Sequence, residues 1–274
     1  MRNLSITTAW NESTDFLKLH FGALFTIALA MIAVPSVVLH AFGPAAEPGR
    51  APEPGLWLLL IPAVLVLNIA ASLAMSSLAL GRRNVVGEAI GHGFRRFLPL
   101  LGAILILIAG MLVLLLPLGL LSGITAEELA APTPAKAGRM ALIGLLFSAV
   151  GLFFAVRLLL MTPVAAAEPA GPMEIIRRSW KLTGPHFWKL LGFILLILIL
   201  FAVVSMVVTI LFGLLIAAVA GAPEPGSLAS LVLTLVGAIV NAAFVVVTTT
   251  LIARIYIQLS GGAPAGASGA ASGI

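Results

Sequence analysis

The chain has no cysteine. Disulfides, Cys-ligated zinc, iron–sulfur clusters and thiol nucleophiles are therefore excluded. Charge is also scarce: Asp, Glu, Lys and Arg make up 9% of 274 residues, against about 25% in an ordinary soluble domain. So few charges cannot cover a water-facing surface, whereas a bilayer-facing surface needs none. No long apolar run carries Asp or Glu at its centre, and a proton- or ion-coupled transporter usually shows one there.

What is present is apolar. Hydrophobic residues make up 61% of the chain and the mean hydropathy is +1.19, which places it among multi-pass membrane proteins. Six apolar runs reach the roughly 20 residues that span about 30 Å of hydrocarbon at 1.5 Å each. They lie near 21–42, 56–80, 97–121, 139–163, 190–220 and 227–258. The runs are continuous rather than alternating, so spanning β-strands are not expected. Four prolines interrupt 43–55, and Pro132, Pro134, Pro223 and Pro225 punctuate two further turns, because proline lacks the amide donor a helix needs. Residues 261–274 are mostly Gly, Ala and Ser and read as a flexible tail. The expected fold is all-α: a polytopic membrane bundle of six transmembrane helices with short amphipathic cytoplasmic connector helices, in one transmembrane domain over 1–260. Glu12 and Asp15 stand where a secretory signal would be basic, so the first run is expected to be kept as a span.

The basic residues are segregated. Arg2, Lys18, Arg82, Arg83, Arg95, Arg96, Arg177, Arg178, Lys181, Lys189 and Arg254 fall at the N-terminus, the second and fourth connectors and the final exit. Arg50, Lys136 and Arg139 fall on the other side of a six-span chain, and Arg157 lies inside the fourth span. By the positive-inside rule both termini are expected in the cytoplasm. The sequence pI of about 10.5 then reflects charge beside anionic lipid, not nucleic-acid binding. Residues 81–96 and 169–189 mix basic and apolar residues at helical spacing and are expected to lie in the headgroup zone. In the second, Met173, Ile176 and Trp180 share a face opposite Arg177, Arg178 and Lys181. Residues 6–20 make a third such segment. Trp10, Trp180 and Trp188 are the expected interfacial anchors. A weak internal repeat relates Glu88-Ala89-Ile90 with residues 97–102 to Glu174-Ile175-Ile176 with residues 187–192, four residues further apart in the second copy.

Around the fourth connector the motif is specific. Arg157, Pro163, Glu168-Pro169-Ala170-Gly171-Pro172, Arg178-Ser179-Trp180-Lys181-Leu182-Thr183-Gly184 and Phe187-Trp188-Lys189-Leu190-Leu191-Gly192 resemble the glycerophosphoryl diester phosphodiesterase membrane-domain-like family. That group is related to the YciC-type bacterial inner-membrane proteins. The resemblance implies a membrane region without the soluble phosphodiesterase domain that a minority of relatives carry, and so implies no activity.

The candidate residues have both bland and sharper readings. Arg157, about two turns before the end of its span, either snorkels to the headgroups, pairs with Glu168 or Glu174, or contacts a substrate. Glu168 is expected to pair with Arg157 or to cap the connector helix. Arg82, Arg83, Arg95, Arg96, Arg177, Arg178, Lys181 and Lys189 form a candidate basic surface for phosphate or lipid head groups, or serve only to set topology. Each cation near anionic lipid is worth about 1 kcal/mol. His20, His40, His92 and His186 have no metal-ligand spacing, and no cofactor is expected. Asn68, Ser72, Ser76 and the small residues beside them read as packing groups.

The function expected on these grounds is that of a lipid-associated scaffold or assembly partner without catalytic machinery. Its partners are membrane lipids with anionic head groups, with a second copy or another membrane protein left open. A transporter or channel would gather Arg157, Asn68 and Asn241 around a polar cavity. An enzyme acting on a lipid head group would bring Glu88, Glu168 and His92 or His186 into one pocket.

Overall fold

The first helix begins where Ser5 accepts a hydrogen bond from the Thr8 amide at 3.2 Å, a side-chain N-cap. The computed structural model describes residues 4–43, 55–83, 85–123, 134–221 and 227–261. Among them there are helices and no strand. Helix α1 (Ile6–Ala28) continues through a wide π turn (Leu29–Ala33) into α2 (Val34–Phe42). The π turn has a local cause. Pro35 cannot donate to Met31 and its ring crowds that carbonyl, so the chain widens just before it. A short 3₁₀ turn (Leu56–Leu59) leads into α3 (Leu60–Ala79), and α4 (Val86–Ser122) follows after a tight turn.

Helix α5 (Pro134–Leu158) stops before Pro163, whose missing donor separates it from a short helix α6 (Met161–Ala167). The amphipathic α7 (Pro172–Thr183) comes next. A 3₁₀ turn (Gly184–His186) containing Pro185 then leads into α8 (Phe187–Ala220). The last helix, α9 (Leu228–Ser260), opens on a Ser227 N-cap and closes on left-handed Gly261, φ 81°.

Six helical stretches are long and apolar enough to cross a membrane: Ile6–Phe42, Leu56–Ala79, Val86–Pro117, Ala137–Ala167, Pro172–Val219 and Leu228–Ser260. Each overlaps one expected run. Two expected connector helices differ. Residues 6–20 are not a separate surface helix but the first half of α1, packed along α9 with Ala9 and Ser13 buried. Residues 86–96 are the opening turns of α4, since nothing there breaks the helix and Pro99 is tolerated inside it. Of the three segments expected to form connector helices, the fourth connector alone is a helix of its own, because Gly184-Pro185 stops it. The tail expected at 261–274, beyond Gly261, and the Pro-rich segment 44–54 lie outside the described residues.

The packing is concentrated at one end. Helices α3 and α4 form a close hairpin, α1 lies along α9, and α6 is a buried plug touching α3, α4, α7 and α9. Met161, Pro163, Val164, Ala165, Ala166 and Ala167 on α6 are all buried. All of these but Pro163 join Leu73, Leu100, Ile175, Leu190 and Ile255 in the main core. A second cluster of α1, α3 and α9 is built on Ala70, Ala71, Ala74 and Ala242, small residues that let backbones approach. Away from this end the helices spread. Leu196, Ile199, Met206 and Leu214 on α8 are exposed, while Phe201 on another face packs on Phe244 of α9, their ring centres 4.3 Å apart, as suits a peripheral helix with one face on the bundle and the rest toward acyl chains.

The four basic stretches meet at the packed end. Leu4, Ala79, Leu80, Ile175 and Ile257 belong to one cluster. The Lys189 ammonium reaches the Leu4 carbonyl at 3.3 Å, and the Ser5 amide donates to Gln258 Oε1 at 3.2 Å.

Candidate functional site: the basic end of the bundle

Helix α6 has only seven residues, so most of its carbonyls have no intrahelical donor. The first hairpin supplies two. His92 Nε2 lies 3.0 Å from the Ala166 carbonyl, and the Arg82 guanidinium donates to the Ala167 carbonyl. A cation at a helix C-terminus also complements its dipole. Around these contacts opens a cavity of about 630 Å³, lined by Leu80, Gly81, Arg82, Arg83, His92, Arg96, Ala166, Ala167 and Pro169. It contains three arginines and no carboxylate among its described lining. Arg83 has one opposing charge, Glu88 at 3.9 Å, and both are well exposed, a geometry worth little. Arg95, one position before Arg96 on α4, is exposed.

The expected pair of Arg157 and Glu168 is not formed. Glu168 Oε1 instead accepts from Arg178 Nε at 3.1 Å and from the Tyr256 hydroxyl at 2.7 Å. This ties the start of the fourth connector to α7 and α9. Glu168 sits outside α6, in extended backbone, so its carboxylate swings away from α5. Arg157 points into an aromatic box. Its guanidinium carbon stands 5.5 Å from the Phe153 ring, 5.1 Å from Trp180 and 5.5 Å from Phe187. Cation–π attraction takes the place of an ion pair there. Its Nε is buried without a hydrogen-bond partner. A Cβ on Gly184 would come within 2.8 Å of its Nη1, so glycine leaves room for the guanidinium.

Helix α7 corrects the expected division of faces. Its inner face is Ile175, Ser179 and Thr183, spaced four apart. Ser179 Oγ and Thr183 Oγ1 both donate to the Arg157 carbonyl, at 2.9 and 3.1 Å, satisfying the exposed end of α5. Met173 and Ile176 flank that face and line a separate apolar groove. Arg177 and Lys181 are exposed, whereas Arg178 is occupied by Glu168. The basic residues are thus one pocket on the first hairpin and one rim on α7. Lys189, on α8, is exposed with its ammonium on Leu4. Trp10 and Trp188 are 46% and 80% exposed, as anchors require; Trp180 is a wall of the Arg157 box.

Three contributors carry no motif signal. Tyr256 is the single tyrosine of the chain, which could have drawn attention to it. Arg254 lies 4.9 Å over the Phe16 ring, with its Nε buried and unpartnered. Gln258 holds the N-terminus. Asn68 and Ser72 bond within α3, to Val64 O and from Ser72 Oγ to Asn68 O. Neither Arg157, Asn68 nor Asn241 lines the two cavities described here. Glu88, Glu168 and His186 are likewise absent from the lining of the pocket that holds His92. Among the described residues no three His, Asp or Glu side chains gather as metal ligands.

A chain whose described residues are helical, with six stretches among them fit to cross a bilayer and a buried plug at one end, is a multi-pass membrane protein. The chain belongs to the family described as Domain of unknown function (DUF7847), which it matches over residues 20–259. No curated protein and no solved structure matches it.

Proposed function

We propose that this chain is a lipid-associated scaffold or assembly partner in the bacterial inner membrane, with both termini in the cytoplasm and anionic head groups seated at its basic end. The observation that supports this most is the pocket of about 630 Å³ in which Arg82, Arg83 and Arg96 meet no lining carboxylate. Arg82 and His92 are largely committed to the α6 carbonyls, so Arg83 and Arg96 are the cations left for a phosphate. Arginine suits that task because its planar fork matches phosphate oxygens. The orientation rests on eleven basic residues that fall in four segments on one side of a six-span chain, and on the positive-inside rule. The likeness to the glycerophosphoryl diester phosphodiesterase membrane-domain-like family enters as kinship of the membrane region, not as an activity.

The test is native mass spectrometry of the purified full chain with phosphatidylglycerol and phosphatidylcholine in equal amounts. Arg83→Gln with Arg96→Gln is expected to weaken retention of the anionic lipid about thirty-fold, from about 1 kcal/mol for each cation. Retention unchanged in that variant, with its fold intact, removes the proposal.

A further inference from the structure

We propose that the apolar groove between α4 and α5 holds one acyl chain of an anionic phospholipid whose phosphate rests on Arg177 and Lys181. This rests on the reading of the protein as lipid-associated, but it uses none of the residues of the basic pocket.

The groove exists because α7 holds α4 and α5 apart. Helix α7 packs against both, at their ends nearest the basic residues. Its first residue, Pro172, seats against α4 at Gly102, where a Cβ would come within 2.9 Å of the proline Cγ. Gly102, Ile106, Gly110 and Leu114 are spaced four apart and so form one ridge of α4. The ridge starts under α7 and runs away from it, and Ile106 to Leu114 covers about 12 Å. The groove along this ridge measures about 690 Å³, within the usual range of ligand sites. Leu158 on α5 and Met173 and Ile176 on α7 close it, and no lining residue is charged.

The rim identifies the occupant. Met173, Arg177 and Lys181 are again spaced four apart, so the ridge that enters the groove at Met173 carries a cation one and two turns later. Both cations are exposed, and neither is paired with a carboxylate among the described residues. Their neighbour Arg178 is neutralised by Glu168. A purely apolar slot ending at two free cations is complementary to a chain with an anionic head. A wholly apolar partner would leave the cations unused, and a soluble anion would leave the slot unused.

Gly110 provides a clean probe, because a Cβ there meets nothing within 4 Å. The full-length protein is purified in detergent doped with equal phosphatidylglycerol and phosphatidylcholine, and native mass spectrometry reads the bound lipid. Gly110→Phe fills the slot and is expected to abolish one retained phosphatidylglycerol; Gly110→Ala is expected to keep it. Arg177→Gln with Lys181→Gln is expected to lower the preference for phosphatidylglycerol about thirty-fold while one lipid of either kind still binds. Arg83→Gln with Arg96→Gln is expected to leave this lipid in place.

Undiminished lipid in Gly110→Phe overturns the inference, as does an unchanged preference in the α7 variant. So does a dimer that Gly110→Phe splits without loss of lipid, which would give the groove to a second copy. Should Gly110→Phe lose helicity by circular dichroism, the α7 variant decides alone. Loss of lipid only in the Arg83 and Arg96 variant leaves the pocket proposal standing and removes this one. Loss of lipid in Gly110→Phe and loss of preference in the α7 variant, with no change in the Arg83 and Arg96 variant, does the reverse.

Discussion

The guanidinium of Arg157 lies 5.1 Å from the centre of the Trp180 ring. These two residues are 23 positions apart, on helices that Ser179 and Thr183 also join through the Arg157 carbonyl. One short stretch of α7 therefore binds both ends of the same residue: hydroxyls take its backbone and aromatic faces take its charge. The Arg-Ser-Trp-Lys-Leu-Thr-Gly motif at residues 178–184 gains a structural meaning from this arrangement. Ser179 and Thr183 close α5, Trp180 walls the cation, and Gly184 makes room for it.

Replacing Trp180 is expected to separate this role from simple lipid anchoring. Trp180→Leu should lower stability by about 1–2 kcal/mol, the range of a partly desolvated cation–π contact with its packing. Trp180→Phe should cost less, because an aromatic face remains. The check is the thermal unfolding midpoint in one fixed detergent, with Trp188→Leu as the exposed comparison that should barely change it.

Gly91 and Gly93 are expected to behave oppositely although they are two residues apart. A Cβ on Gly93 would overlap the Ala70 carbonyl, whereas one on Gly91 meets nothing within 4 Å. Gly93→Ala should therefore push α3 from α4 and cost about 1–3 kcal/mol or more. Gly91→Ala should be neutral, or stabilise by up to about 1 kcal/mol through helix propensity. Unfolding midpoints of the two variants provide the comparison.

Tyr256 and Glu168 should be energetically coupled. The Tyr256 hydroxyl donates to the carboxylate at 2.7 Å, and a hydrogen bond to a charged group is worth about 1.5–3 kcal/mol. Tyr256→Phe alone should show most of that loss. In a chain already carrying Glu168→Gln the same change should cost clearly less. A double-mutant cycle measures the difference, and additive costs would dissolve the link between α9 and the fourth connector.

The absence of native cysteine makes single-cysteine labelling unambiguous. Gly91→Cys and Lys181→Cys are expected to react with an impermeant maleimide only when the cytoplasmic face is open. Gly138→Cys is expected to react from the opposite side. Labelling of positions 91 and 181 from different faces would contradict the proposed orientation and the sharing of one end by both connectors.

The spans were legible because each is an apolar run of bilayer length, and all six expected runs overlap a helical stretch. Connector details were less so. Residues 86–96 carry the same amphipathic mixture as 172–183, yet only the second forms a separate helix, because Gly184-Pro185 interrupts one copy and nothing interrupts the other. The partner of Glu168 was not legible at all. Arg157 and Arg178 stand about equally near Glu168 in sequence and Tyr256 stands far from it, but the extended backbone after α6 turns the carboxylate toward α7 and α9.

By itself the sequence determined the membrane class, the number of crossing stretches and the collection of cations into four segments. Those properties follow from hydropathy and charge along the chain, which bilayer thickness and the membrane interface read locally. Only the tertiary structure decided which cations are free. Arg82, Arg178 and Lys189 are engaged by Ala167, Glu168 and Leu4, while Arg83, Arg96, Arg177 and Lys181 are left in a pocket and on a rim. That division depends on how a seven-residue plug and one amphipathic helix seat between distant segments, and contacts such as those of Arg82 over 85 residues and Lys189 over 185 leave no periodic trace in the chain.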